Sequence, residues 1–294
     1  MNVACYLLFS LVLLCIVVPK ERILLISPVL IVCLATIYKK EIMNANGLIS
    51  VVIFCAIAYL HFYKDFKYKI YAYYLFTLIF IVITYCFITH KMPGFNNPII
   101  LNHIKISPTS SYFSMNINFD KVICALLIFI MDPYIKSPIP ISMTQIKDTA
   151  IILIMCILFL IIPAMYIEYI KFDPKIPDIT LIWIINNLFF VSFSEEVIFR
   201  GYIQNRLHIQ NRLGKYRLGK FRINATTSIF VSSFFFGLYH IDKGIIFVIF
   251  SAICGLFYGY AFYKTQKNIL CSMLVHFLLN FCHFICFTYP HYLR

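Results

Sequence analysis

The chain is a succession of apolar runs. Ile, Leu, Val and Phe fill consecutive positions for roughly 16 to 22 residues at a time, and short polar connectors separate the runs. An α-helix needs about 20 residues to cross a hydrocarbon core of about 30 Å, so this pattern predicts helical spans at 3–19, 23–38, 47–63, 70–89, 121–135, 149–170, 179–205, 224–240, 244–263 and 268–288. A β-barrel would require alternating polarity, which is absent. Segment 121–135 fits least well. Its apolar core is short and Asp132-Pro133 breaks it, so a partly inserted or re-entrant helix is the alternative reading. The expected fold is all-α, a polytopic transmembrane helix bundle with about 8–10 membrane segments.

Composition agrees. The 294 residues are 62% hydrophobic and 13% charged, with a mean hydropathy of +0.86, whereas a soluble domain is about half apolar and a quarter charged. Membrane lipid is therefore an expected partner. A net charge of +13 raises the question of nucleic acid, but the basic residues cluster in connectors between spans. Membrane-surface charge accounts for that placement, and no nucleic-acid partner is expected. If all ten segments cross, the connectors 20–22, 64–69, 136–148, 206–223 and 264–267 share one side. They carry 15 of the 25 lysines and arginines, so the positive-inside rule makes that side cytoplasmic and puts both termini outside. The expected location is a bacterial cytoplasmic membrane. Connector 206–222 repeats a pentapeptide, Leu213 to Arg217 and Leu218 to Arg222, whose basic, aromatic and aliphatic residues suit a headgroup layer. The first residues, MNVACYLLFS, lack the basic segment and small-residue cleavage site of a secretory signal, and are expected to form the first span. Eleven scattered cysteines contain no C-x-x-C pair and suit a role as small buried hydrophobes.

Ten of the twelve carboxylates fall in connectors or near span ends. Glu195 and Glu196 do not. A charged side chain near the bilayer centre costs at least about 2.5 kcal/mol, so an adjacent pair inside a span implies function or tight internal pairing. Arg200 lies one turn after Glu196 and is its expected partner. Glu195 points about 100° away and must look to other helices. Two further spans offer polar groups: His240, four residues after Phe236, and His276 with Asn280 one turn on. An imidazole and a carboxamide on one face can hold a carbonyl or a developing oxyanion through N–H donors. His283 continues that stripe, and Asn186 and Asn187 lie in the glutamate span. For these three, an ordinary interhelical hydrogen bond is the stronger reading. Counted from the helix ends, His240 lies deeper than Glu195 or His276, so span 224–240 has to tilt or start below the surface to bring them level.

In order and spacing, Glu195-Glu196-x-x-x-Arg200, Phe236-x-x-x-His240 and His276-x-x-x-Asn280 resemble the three motifs of the CPBP intramembrane proteases, the family of type II CAAX prenyl endopeptidases and Abi proteins. The resemblance covers about 120–294 and divides the chain into N-terminal transmembrane helices of unknown role, 1–117, and a protease core, 118–294. It implies peptide-bond hydrolysis within the membrane on a membrane-bound peptide or protein substrate. Glu195 would activate water, His240 would handle protons, and His276 with Asn280 would stabilise the oxyanion. The family is often labelled metalloprotease, which keeps zinc possible as a cofactor. The chain lacks His-Glu-x-x-His, however, and a metal-free, glutamate-activated water is the favoured reading. The main alternative is a proton- or ion-coupled transporter using the same groups, and a third is a non-catalytic scaffold that keeps them as structural contacts.

Overall fold

The computed structural model describes residues 3–19, 26–63, 70–136, 140–212 and 224–293. The duplicated pentapeptide, and the connectors 20–22 and 64–69, lie outside the described residues. Backbone contacts divide the chain into two units, Met1–Ile100 with Asn116–Ser137, and Leu101–Met115 with Pro138–Arg294.

The first unit holds α1 (Val3–Val17), α2 (Ser27–Lys39), α3 (Ala45–Tyr63) and α4 (Ile70–Ile88), followed after a β-hairpin by α5 (Phe119–Met131). Its core stacks Phe54 on Phe80 at 5.3 Å between ring centres. Helix α5 corresponds to the doubtful segment 121–135, and it is a core helix rather than a span. Thirteen residues rise only about 20 Å, and Phe119 to Phe129 are all buried. It stops at Met131 because Asp132 turns extended ahead of Pro133. Asp120 and Lys121 are buried within it. Nδ1 of His90 meets both Asp120 oxygens at 3.0 and 2.9 Å, and Asn97 donates to the same carboxylate at 2.9 Å. The hairpin, β1 (Ile99–Lys105) and β2 (Tyr112–Asn116), lies in a connector for which the apolar pattern predicted no strand.

The second unit holds the greater part of the hairpin, then α6 (Met143–Tyr166), a continuous helix α7 over 180–212, α8 (Ala225–Tyr239), α9 (Ile245–Lys264) and α10 (Ile269–Cys286). Helix α6 begins six residues ahead of its apolar run because Ser142 and Gln145 form a capping box. Asn224 and Asn268 cap α8 and α10 through side-chain bonds to Thr227 N and Leu270 N. At one end of this unit Gln145 donates to Thr265 O at 2.7 Å and Lys267 to Asn205 Oδ1 at 2.7 Å, so the connectors after α7 and α9 and the start of α6 lie together. Three of the five connectors assigned to one side therefore share an end of this unit, but the assignment of all five, and of both termini outside, required segment 121–135 to cross, and α5 is too short and too buried to do so. At the other end the 167–179 loop pairs with the chain's last residues, as in Asp173 N to Cys286 O at 2.8 Å and Tyr292 N to Tyr169 O at 2.9 Å.

Among the described residues six helices are long and apolar enough to span a membrane, and three shorter apolar helices, Val3–Val17, Ser27–Lys39 and Ala225–Tyr239, accompany them. The protein is a multi-pass integral membrane protein with an all-α architecture. All eleven cysteines are free and none is exposed, as expected of small apolar fillers.

The α8–α9 hairpin is closely packed because small residues face each other across it. A methyl group at Gly237 would come within 2.8 Å of both Val248 O and Ala252 Cβ, and one at Gly255 within 2.9 Å of Ser233 Cα. Backbone cannot yield as a flexible side chain can. Gly237→Ala should therefore destabilise the protein by about 1–3 kcal/mol despite alanine's better helix propensity, read as a lowered thermal midpoint in detergent. An unchanged midpoint would mean that the two helices can separate at no cost.

Beyond α6, Lys175 donates to Asp173 Oδ2 at 3.0 Å and also reaches Phe287 O, tying the loop to the end of the chain. Burial alone would raise the Asp173 carboxyl, but the hydrogen bond and charge of Lys175, with the Ser107 hydroxyl in the vicinity, outweigh it and leave the value lowered. A lowered folded-state value means stability that is present above the unfolded value and lost as pH falls through the folded one. Asp173→Asn should thus be less stable than wild type at pH 7, by a modest margin for a partly exposed pair. The gap should close below about pH 4, which paired unfolding curves at the two pH values would reveal.

Candidate active site

The three sequence motifs converge in the second unit. Glu195 and Glu196 sit in α7 at 3% and 0% exposure, Arg200 at 0%, His276 at 4% and His240 at 8%. Glu196 Oε1 receives Arg200 Nη1 at 3.2 Å and faces His276 Nδ1 at 2.9 Å. His276 Nε2 lies 3.9 Å from Glu195 Oε2. One imidazole thus stands between the two carboxylates. The expected pairing of Glu196 with Arg200 is present, and Glu195 finds its neighbour on another helix, as its angle around α7 requires.

Two buried carboxylates, a guanidinium and an imidazole thus stand in contact with one another, as the cost of burying an isolated charge requires.

The aromatic surroundings hold these groups in place. The His276 ring stacks on Tyr258 at 4.5 Å and 14°. The guanidinium of Arg200 lies over Phe236 at 4.5 Å and near Tyr258 at 5.3 Å, and its Nη2 donates to Gly255 O at 3.1 Å. Ring faces and a carbonyl are soft partners for a cation that cannot lose its charge. Phe236 also touches His240 at 5.0 Å and His276 at 5.9 Å between ring centres. The two histidines are therefore level. Helix α8 covers Ala225–Tyr239 between Asn224 and His240, as the expected span 224–240 did, so the levelling comes from how the helix is placed and not from its length. His240 is the residue that closes α8, and its Nδ1 lies 2.9 Å from Phe236 O. A carbonyl only accepts, so Nδ1 carries hydrogen and Nε2 is the nitrogen that exchanges protons.

Asn280 is in the same stripe but is engaged differently from the expectation. Its Nδ2 donates to Asn187 Oδ1 at 3.3 Å, an oxygen that also lies 3.5 Å from Ser192 Oγ. Asn187 therefore belongs to the site, in the hydrogen-bonding role anticipated for it. His283 lies apart, with Nε2 3.2 Å from Thr288 O at the end of α10. Tyr258 and the Gly255 carbonyl were not singled out from the sequence. An aromatic residue or a glycine inside an apolar run carries no local sign of such a role.

Helix α7 is not a regular α-helix. Thr180–Ile185 is α-helical, Asn186–Ser192 π-helical, Phe193–Glu196 α-helical, Val197–Gln204 π-helical and Asn205–Arg212 α-helical again. A uniform α-helix would spread Asn187, Glu196, Arg200 and Gln204 over roughly 180°. A four-residue step overshoots an α turn by about 40° and falls short of a π turn, of about 4.4 residues, by about 33°, so π segments offset the drift of the α segments. Accordingly Asn187 and Glu196 reach α10, while Arg200 and Gln204 reach the carbonyls of Gly255 and Gly259 on α9. The π segments flank the glutamate pair on both sides.

A shared metal would need three converging His, Cys, Asp or Glu side chains, and among the described residues no such group occurs. Glu196 Oε1 is already faced by a guanidinium and an imidazole.

Residues 177–282 match the family model of the type II CAAX prenyl endopeptidases, Rce1-like. All three motifs fall inside that segment. No curated protein and no solved structure matches the chain.

Proposed function

We propose that this membrane protein is an intramembrane endopeptidase that hydrolyses a membrane-bound peptide or protein tail with a water activated by Glu195. The observation that carries this reading is the buried carboxylate pair of α7 with one imidazole between its members. Glu195 takes a proton from water, and the water oxygen attacks the peptide carbonyl. The oxyanion is met by the N–H of Asn280 not used by Asn187. The proton held by Glu195 passes to His240 Nε2, which delivers it to the leaving nitrogen as the C–N bond breaks and so returns both groups to their starting states. His276 balances charge and positions both carboxylates. Glu196 and Arg200 hold α7 against α9 and α10. A bacterial cytoplasmic membrane fits this role.

The match to a prenyl endopeptidase family favours a lipid-adjacent peptide as substrate, and it weighs against the ion- or proton-coupled transporter, which has only the same side chains in its support. Comparative peptidomics of membranes carrying wild type or Glu195→Gln tests the proposal. A terminal fragment found only with wild type is the expected result. Identical peptide profiles with Glu195-dependent ion flux in proteoliposomes would favour transport instead.

A further inference from the structure

At the end of the second unit where the connectors meet, two depressions adjoin on the outside of α8 and α9. One is an apolar groove of about 340 Å³ along the two helices, lined by Ala225, Ile229, Phe230, Leu256, Tyr260 and Tyr263. The other is a small cleft lined by Gln204, Asn205, His208, Ser228, Phe262 and Lys267, again with Tyr263. Tyr263 belongs to both, so the depressions form one amphiphilic surface. Gln204 is 3% exposed, and its Oε1 is buried without a hydrogen-bond partner.

Among the described residues basic groups outnumber carboxylates at this end. Lys264 is exposed beside Tyr263, Lys267 is pinned to Asn205 Oδ1 at 2.7 Å, and Arg206 and His208 are half-buried nearby, while Asp148 lies one turn beyond Gln145, which bonds Thr265 O. Tyr260 and Tyr263 are 45% and 47% exposed, as befits phenols at a headgroup boundary, with aliphatic wall on one side and cations on the other.

We propose that this surface binds one anionic phospholipid, its acyl chain in the groove of α8 and α9 and its phosphate between Lys264 and Lys267. An apolar trough alone would accept any chain. The basic mouth selects the charged headgroup, because each lysine near a membrane surface contributes about 1 kcal/mol of attraction to anionic lipid. This site does not depend on peptidase activity, since none of its residues belongs to the Glu195 cluster.

The full chain in a neutral detergent should show a thermal midpoint that rises with added phosphatidylglycerol and stays nearly flat with phosphatidylcholine. Lys264→Gln should weaken the apparent phosphatidylglycerol affinity about fivefold, and Leu256→Trp, which fills the groove, should abolish the selective shift. Lys264→Glu, an exposed change that leaves packing intact, should reverse the lipid preference even if the tryptophan variant fails to fold. Equal stabilisation by both lipids, or an undiminished phosphatidylglycerol response in Lys264→Glu, overturns the proposal. So does equal stabilisation by an uncharged prenyl alcohol.

Discussion

Glu195→Gln should lower peptide cleavage by about 10²–10⁴-fold while leaving membrane insertion and thermal stability near those of wild type. The amide keeps the size and one oxygen of the carboxylate but cannot take a proton from water. Single-turnover cleavage of a substrate identified by peptidomics gives the rate directly. A variant with undiminished turnover would remove Glu195 from the chemistry and shift attention to the neighbouring carboxylate.

Arg200→Met should have the opposite signature, a loss of stability of about 3–5 kcal/mol. Removing the guanidinium strands Glu196, 0% exposed, with His276 as its remaining hydrogen-bond partner, and deprives Gly255 O of its donor. Breaking one side of a buried pair is costly because the other charge stays behind. Removing both sides is not. Glu196→Gln combined with Arg200→Met should therefore recover much of the loss, and a double-mutant cycle on detergent unfolding midpoints measures the coupling. Additive single losses would show that the two residues act separately.

Much of the second unit was readable in the sequence because lipid makes polarity informative. An apolar run needs no explanation in a membrane, whereas Glu195, Glu196 and Arg200 inside one do, and their four-residue offset already paired Glu196 with Arg200. The starts of α8 and α10 were legible in Asn224 and Asn268, each a cap ahead of an apolar run. The start of α6 was also written in the sequence, in the Ser142 and Gln145 capping box, but hydropathy alone places it too late. Packing sets the boundary after α5 differently from the division at residue 117. Residues 116–137 group with the N-terminal helices, because α5 buries nearly its whole circumference among them.

From the sequence alone came the membrane setting, the helical class, the three polar motifs and the pairing within α7, since each follows from local spacing and the cost of charge in lipid. Tertiary structure alone decided that His276 stands between the two glutamates, that Asn187 takes one hydrogen of Asn280, and that α8 is placed so that His240 and His276 both meet Phe236. Those outcomes depend on helix placement, π-helical turns and side-chain contacts between helices far apart in the chain, and no periodicity within a single run encodes how neighbouring helices will meet.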